Sequence, residues 1–295
     1  MNKIPVGETI RFAYGFAFGQ LGTIIGLIWV PMVAIAVLRF LPYGLGDAHP
    51  SPEQNPTAAG AAALRQLVFA LASILLYASI NVAVMRQALG LRKGGAVIHF
   101  ALGAAEFRMW GAMLLLLAIL IALTIGFFLA VFGATLAGAV LGSKMLAGAI
   151  GGGVALIGLC LLLVSIVRLA FLVVPITVAE NKISFERGWL LTRGNFWRIS
   201  TVVFVVTLPT VTIVFGAFFA LMGGELMALI PVASHIGEQA LAERVQAIMD
   251  SHIPTIIGIN LIVAPFSLGL TLGAAAAGYK ALTAPPRPFE APHAA

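Results

Sequence analysis

The chain has 295 residues, 61% of them hydrophobic and only 9% charged, and its mean hydropathy is +1.06. Soluble domains carry about 25% charged residues, so this set cannot furnish a water-facing surface around a core. The formal net charge of +6 does not point to nucleic acid, because that needs a basic face on a soluble module.

Taking about 20 apolar residues per crossing, six runs qualify, near 16–40, 66–88, 110–136, 147–177, 199–222 and 254–279. The expected fold is an all-α integral membrane protein, one transmembrane domain over 1–283 with six spans and short interfacial amphipathic helices. Ala34-Ile35-Ala36 mimics a signal cleavage site, but the run continues to Leu41 and follows a long amino-terminal region containing Glu8. It therefore reads as a retained helix. Residues 42–64, rich in Pro, Ala and Gly, read as an irregular loop. The fourth run is longer than a perpendicular span needs, which predicts tilt or an interfacial extension. It contains Cys160, the single cysteine, which excludes an intrachain disulfide. A small buried hydrophobe is expected there rather than a reactive thiol.

Residues 182–198 predict an interfacial helix. Ser184 is a suitable N-cap, and Gly194-Asn195 should break the helix before the next span. Trp189, Phe196 and Trp197 suit the headgroup level, with arginines free to face phosphates. Further on, Leu241, Val245, Ile248 and Met249 share one helical face, with Glu238, Arg244 and Asp250 outside it, which predicts a separate surface helix over 237–251. The segment 284–295, with Pro285, Pro286 and Pro288, is expected to be a disordered cytoplasmic tail.

Phe18, Phe107 and Phe196 are 89 residues apart, and Glu8/Glu186 and Pro31/Pro209 match at twice that period. The aligned stretches Glu8–Pro31, Val97–Leu120 and Glu186–Pro209 suggest three units, each an interfacial helix followed by a transmembrane hairpin. Chance alignment in so biased a composition is the competing explanation. Glycine pairs four apart (Gly15/Gly19, Gly22/Gly26, Gly138/Gly142, Gly148/Gly152 and Gly269/Gly273) are candidates for close helix approach in lipid. Gly269, Gly273 and Ala277 form the cleanest stripe, so that face is expected to be buried.

Orientation follows from Lys and Arg in alternate connections. Lys3, Arg11, Arg86, Arg92, Lys93, Arg108, Lys182, Arg187, Arg193, Arg198, Lys280 and Arg287 fall on one side, and Arg39, Arg65, Lys144 and Arg244 on the other. Twelve against four places both termini in the cytoplasm, in a bacterial inner membrane.

The seventeenth cation, Arg168, lies within the fourth run, eight residues before Ile176 and hence about 12 Å from the inner boundary. A charge at span centre costs on the order of 3 kcal/mol. Snorkelling or packing is one use of such a residue; holding a lipid phosphate or a carboxylate is the other. Asn81 and Asn260, with Thr201, Thr207, Thr210 and Thr212, suit hydrogen bonds between helices. Pro31, Pro175, Pro209 and Pro265 would kink theirs, and broken helices can line a transport pathway.

Signs of catalysis are poor: Gly-x-Ser-x-Gly, a phosphate-binding loop and His-Glu-x-x-His are all missing from the sequence. The histidines have no ligand spacing. A cluster of His235, Glu238, Glu243, Asp250 and His252 competes with a solvated acidic loop. Neither a cofactor nor a metal is implied.

Two segments resemble a known family. Ile4-Pro5-Val6-Gly7-Glu8-Thr9-Ile10-Arg11 leads into an aromatic helix. Arg168-Leu169-Ala170-Phe171 runs through Pro175 and Ala179-Glu180 to Trp189-Leu190-Leu191-Thr192-Arg193-Gly194-Asn195-Phe196-Trp197. This resembles the membrane domain of bacterial glycerophosphoryl diester phosphodiesterases and related inner-membrane proteins, chiefly over 165–200. In that pattern a Ser often precedes the Trp, where this chain has Gly188. The resemblance implies a membrane module that in longer relatives is fused to a soluble phosphodiesterase barrel. Such a barrel needs about 250 residues, which this sequence does not hold, so hydrolysis by that route is not expected. The expectation is a non-catalytic, lipid-contacting scaffold or accessory subunit. Arg168, Arg187, Trp189, Arg193, Trp197 and Arg198 would engage anionic headgroups or a membrane protein partner. A transporter of a lipid or small amphiphile, built on Arg168 with Asn81 or Asn260, is the alternative.

Overall fold

The computed structural model describes residues 2–44, 56–92, 102–140, 144–233 and 237–285. These form α1 (Val6–Gly19), α2 (Leu21–Gly44), α3 (Pro56–Leu89), α4 (Ala104–Val140), α5 (Lys144–Ala179), α6 (Phe185–Thr192), α7 (Phe196–Ala233) and α8 (Glu238–Thr283). Six of them, α2 to α5, α7 and α8, are long and apolar enough to cross a bilayer. The chain is a multi-pass, all-α membrane protein. Phe128, Phe132, Phe204, Phe215 and Phe219 stand at least 63% exposed on two of these helices, α4 and α7, a surface that water would not tolerate and lipid tails cover.

The long helices outrun their expected bounds. Pro56 begins α3, so 56–64 is helical rather than an irregular loop. The reason is local: proline is favoured at the first helical position, and the alanines that follow are the strongest helix formers. The surface helix expected over 237–251 is instead the start of α8, which runs unbroken for 46 residues with Pro254 and Pro265 inside it. At 1.5 Å per residue α8 is about 69 Å long, more than twice the hydrocarbon thickness of about 30 Å. The expected first span, 16–40, is divided at Gln20, whose N–H still donates to Phe16 O (3.0 Å) while its own carbonyl accepts from Ile24 N (2.9 Å). Gln87 Nε2 donates to the Gln20 side-chain oxygen at 2.8 Å, fixing this joint against α3.

Burial is uneven along the helices. In α4 the buried positions are Glu106, Met109, Ala112 and Gly138, and in α5, among the positions whose burial is described, all buried residues but Gly151 lie within 171–178. Ile80, Met85, Leu172, Ile176, Ile199 and Val202 belong to the same core. The bundle is thus closed at the end where α3 finishes, α4 begins and α5 finishes. Away from it, α4 and α5 pair as an antiparallel hairpin: Gly138 abuts Ala147, Gly151 abuts Thr135, and a Cβ on Gly158 would lie 2.6 Å from the Phe127 ring.

The stripe on α8 is buried as expected at Gly269 and Gly273, while Ala277 is half-buried. Its partner is α1. A Cβ at Gly269 would sit 3.0 Å from Ala17 Cα, and one at Gly273 would sit 3.2 Å from Ala13 Cα. Small residues on both helices allow the two backbones to run antiparallel in contact. The face of α1 formed by Thr9, Ala13, Phe16 and Ala17 is therefore buried on protein, not spread on a lipid surface. The other pairs behave differently. Gly15, Gly19, Gly22, Gly148 and Gly152 have nothing within 4 Å of an added Cβ, and Gly142 lies outside the described residues. Cys160, expected to be buried, is exposed on α5.

Short helices precede two of the long pairs, α1 before α2–α3 and α6 before α7–α8. They do not occupy equivalent places, since α1 lies along α8 and α6 on α5. Residues 97–101 of the middle aligned stretch lie outside the described residues, and from Ala104 it is continuous α4. A repeated hairpin unit is not seen in the packing. The segment 286–295 of the expected tail also lies outside the described residues. At the other end of the chain, Asn2 Nδ2 donates to Ala284 O at 2.6 Å, so the start and end of the described chain share one side of the bundle.

Candidate functional site

The junction α5–α6–α7 is built as the sequence suggests. Ser184 caps α6, its Oγ accepting from Arg187 N at 3.3 Å. The helix stops at Thr192, and Gly194 takes φ +77°, a conformation that costs glycine little and other residues more. Asn195 N then donates to Thr192 O at 3.1 Å, and α7 starts at Phe196. Gly188 is where α6 meets α5: a Cβ there would lie 3.5 Å from Ile176 Cδ1, an ordinary contact that leaves room for a small side chain.

Arg168 joins the two helices. Its Nη2 donates to Trp189 O at 2.8 Å and its Nε to Thr192 Oγ1 at 3.3 Å. The guanidinium carbon lies 3.8 Å from the centre of the Trp189 ring, an attractive cation–π geometry. Carbonyls near a helix C-terminus carry excess negative charge, so the cation is stabilised where it lies. This is the packing use of Arg168. Replacing it by lysine, which has no planar fork to reach Trp189 O and Thr192 together, should lower stability by about 1–2 kcal/mol. Thermal unfolding in detergent reads this directly; an unchanged midpoint would show that the contact contributes nothing.

The remaining expected residues separate. Arg187 Nε pairs with Glu180 Oε1. Glu180 also meets Lys182 Nζ at 3.5 Å and accepts from Tyr279 OH at 3.2 Å, tying α5, α6 and α8 at one carboxylate. Arg198 Nη1 donates to Ile4 O at 2.9 Å. Trp197 is 79% exposed. Arg193 is exposed too, and among the described residues it has no hydrogen-bond or carboxylate partner; its electrostatic neighbour is the like-charged Arg168.

Asn81 and Asn260 are not part of this assembly. Asn81 Nδ2 donates within its own helix to Tyr77 O (2.8 Å) and reaches Met113 Sδ on α4 at 3.9 Å. Asn260 is exposed and donates to Ile256 O, so it makes no bond between helices. Thr201 likewise donates within its helix, to Trp197 O. Buried Thr210 Oγ1 has no partner. Among the described residues no group of three metal-ligating side chains forms. His252 pairs only with Glu225, at 3.1 Å, while His235 lies outside the described residues.

No family model matches this chain, and no curated protein or solved structure does either.

Two residues that sequence reading passed over organise the junction. Glu180 is the hub described above. Asn195, noted only as part of a break, is a two-way clamp: its Oδ1 accepts from Ile4 N at 3.1 Å and its Nδ2 donates to Asn2 O at 3.1 Å. Both signals were local, a carboxylate at a span end among cations and an asparagine just after glycine. Their partners lie up to 193 positions away, beyond any pattern in the sequence.

Proposed function

We propose that the protein is a non-catalytic scaffold or accessory subunit of a bacterial inner membrane. In this proposal the α6–α7 corner contacts anionic lipid headgroups and a membrane protein partner. The observation that carries it is Arg193. Neighbouring Arg168, Arg187 and Arg198 are each bonded to protein atoms, whereas Arg193 stands exposed without a partner among the described residues, four positions before the exposed Trp197. An exposed cation and an exposed tryptophan at the same corner are residue types that a headgroup layer stabilises. The excess of Lys and Arg on this side of the bundle supports its placement on the cytoplasmic face, with both termini there. The resemblance of 165–200 to membrane domains of phosphodiesterase-linked proteins is consistent with a role beside lipid enzymes rather than as one.

Each basic residue near an anionic surface contributes about 1 kcal/mol, so Arg193→Ala should lower retention of phosphatidylglycerol roughly fivefold in native mass spectrometry from mild detergent. Retention equal to that of the parent chain would reduce the corner to ordinary anchoring. The transport alternative asked for Arg168 in a polar cavity with Asn81 or Asn260. The donors of Arg168 instead go to Trp189 and Thr192, and no observation favours that alternative.

A further inference from the structure

The face of α6 turned away from Arg168 borders an open cleft of about 540 Å³. With 100° per residue, Glu186, Arg187, Leu190 and Leu191 share that face, while Gly188, Trp189 and Thr192 point to α5. Leu282 at the end of α8 adds to an apolar floor, and Lys182 and Ser184 stand at the rim. The charges of this cleft are unequal in their engagement. Glu180 is neutralised by Arg187, Lys182 and the Tyr279 hydroxyl. Glu186 is exposed, and among the described residues its carboxylate has no partner. Arg187 commits only its Nε to Glu180, so its two terminal nitrogens have no partner among the described residues. Lys182 is 59% exposed with a long contact to Glu180 and has donors to spare.

The rim therefore offers donors for an anion and, beside them, a free acceptor for a cation, with no net charge across Glu180, Lys182, Glu186 and Arg187. A purely anionic group would satisfy one half of it and meet repulsion from Glu186. We propose that this cleft binds a zwitterionic phosphate–ammonium group, the chemistry of phosphoethanolamine, with the phosphate on Arg187 and Lys182 and the ammonium on Glu186. The leucine floor takes the apolar part next to the headgroup. A primary ammonium donates hydrogen bonds to the carboxylate, whereas a trimethylated one cannot, so the cleft discriminates ethanolamine from choline headgroups. The inference rests on α6 lying at a membrane surface, as in the proposed function, but not on Arg193.

The test offers the full chain, in mild detergent, equal amounts of phosphatidylethanolamine, phosphatidylcholine and phosphatidylglycerol, with bound lipid read by native mass spectrometry. Ethanolamine lipid should be retained over choline lipid by about threefold, the worth of one weak, solvent-exposed hydrogen bond. Glu186→Gln should bring the two to parity and, by removing the repulsion, leave phosphatidylglycerol retained at least as well as by the parent chain. Because Glu186 makes no hydrogen bond or ion pair with another described residue, that variant should also keep its unfolding midpoint. Equal retention of the two zwitterionic lipids by the parent chain, or a preference that survives Glu186→Gln, would overturn the proposal. Soluble phosphoethanolamine separates the two sources of this chemistry. Displacement of the bound lipid by the soluble compound supports a cleft that reads the headgroup alone, and a preference that resists it supports a lipid ligand. Failure of the Arg193 experiment with the ethanolamine preference intact would remove the anionic-lipid corner and leave this cleft in place.

Discussion

Gly273→Leu should be strongly destabilising. Even a Cβ at Gly273 would stand 3.2 Å from Ala13 Cα and 3.1 Å from the Phe16 ring, and the rest of the leucine has no space between two backbones. Overpacking costs about 1–3 kcal/mol where side chains can shift, and here the obstacle is main chain, so a loss of about 3 kcal/mol or more is expected. Separation of α1 from α8 would follow. Gly152→Leu is the matched control, since nothing lies within 4 Å of a Cβ at Gly152. The check is the unfolding midpoint of both variants, taken from the monodisperse fraction left after heating in detergent. Equal midpoints would show that the α1–α8 seam does not limit stability.

Asn195→Ala comes second. The side chain is 2% exposed and Ile4 is fully buried, so the substitution strands the Ile4 N–H away from water and releases Asn2 O. An unsatisfied buried donor costs about 1–3 kcal/mol, and the lost second bond brings the expected total to about 2–4 kcal/mol. The first residues should then become open to proteolysis under conditions where the parent chain resists. A cut rate at the amino-terminal segment that does not change would mean that the clamp is redundant with Arg198, which holds Ile4 O independently.

These two sites differ in how far the sequence disclosed them. Gly269 and Gly273 were legible as a packing face, because in lipid close approach needs small residues at a spacing of four. The partner was not legible: Ala13 and Ala17 lie in a helix whose exposed Glu8 and Arg11 read as interfacial. Asn195 was visible only as a breaker. The six spans were plain from hydropathy, yet their ends were not, since helices here continue past the apolar runs on local propensity at Pro56–Ala63 and across Pro254. The six residues expected to form one basic patch were near one another in sequence, but Glu180, Trp189 and Ile4 divert three of the arginines. Sequence shows charge; it does not show which carbonyl has already taken it.

The contacts of the first residues also impose an order on assembly. Ile4 is fixed by Asn195 and Asn2 by Ala284, separations of 191 and 282 positions, whereas the α4–α5 hairpin closes between near neighbours in the chain. At about 5–20 residues per second, the ribosome needs roughly 15–55 s after emitting Asn2 before its acceptor exists. Until then α1 has no glycine seam to lie in and waits at the membrane with its alanine face unfilled, so a segment made well before its partner is the last to be locked.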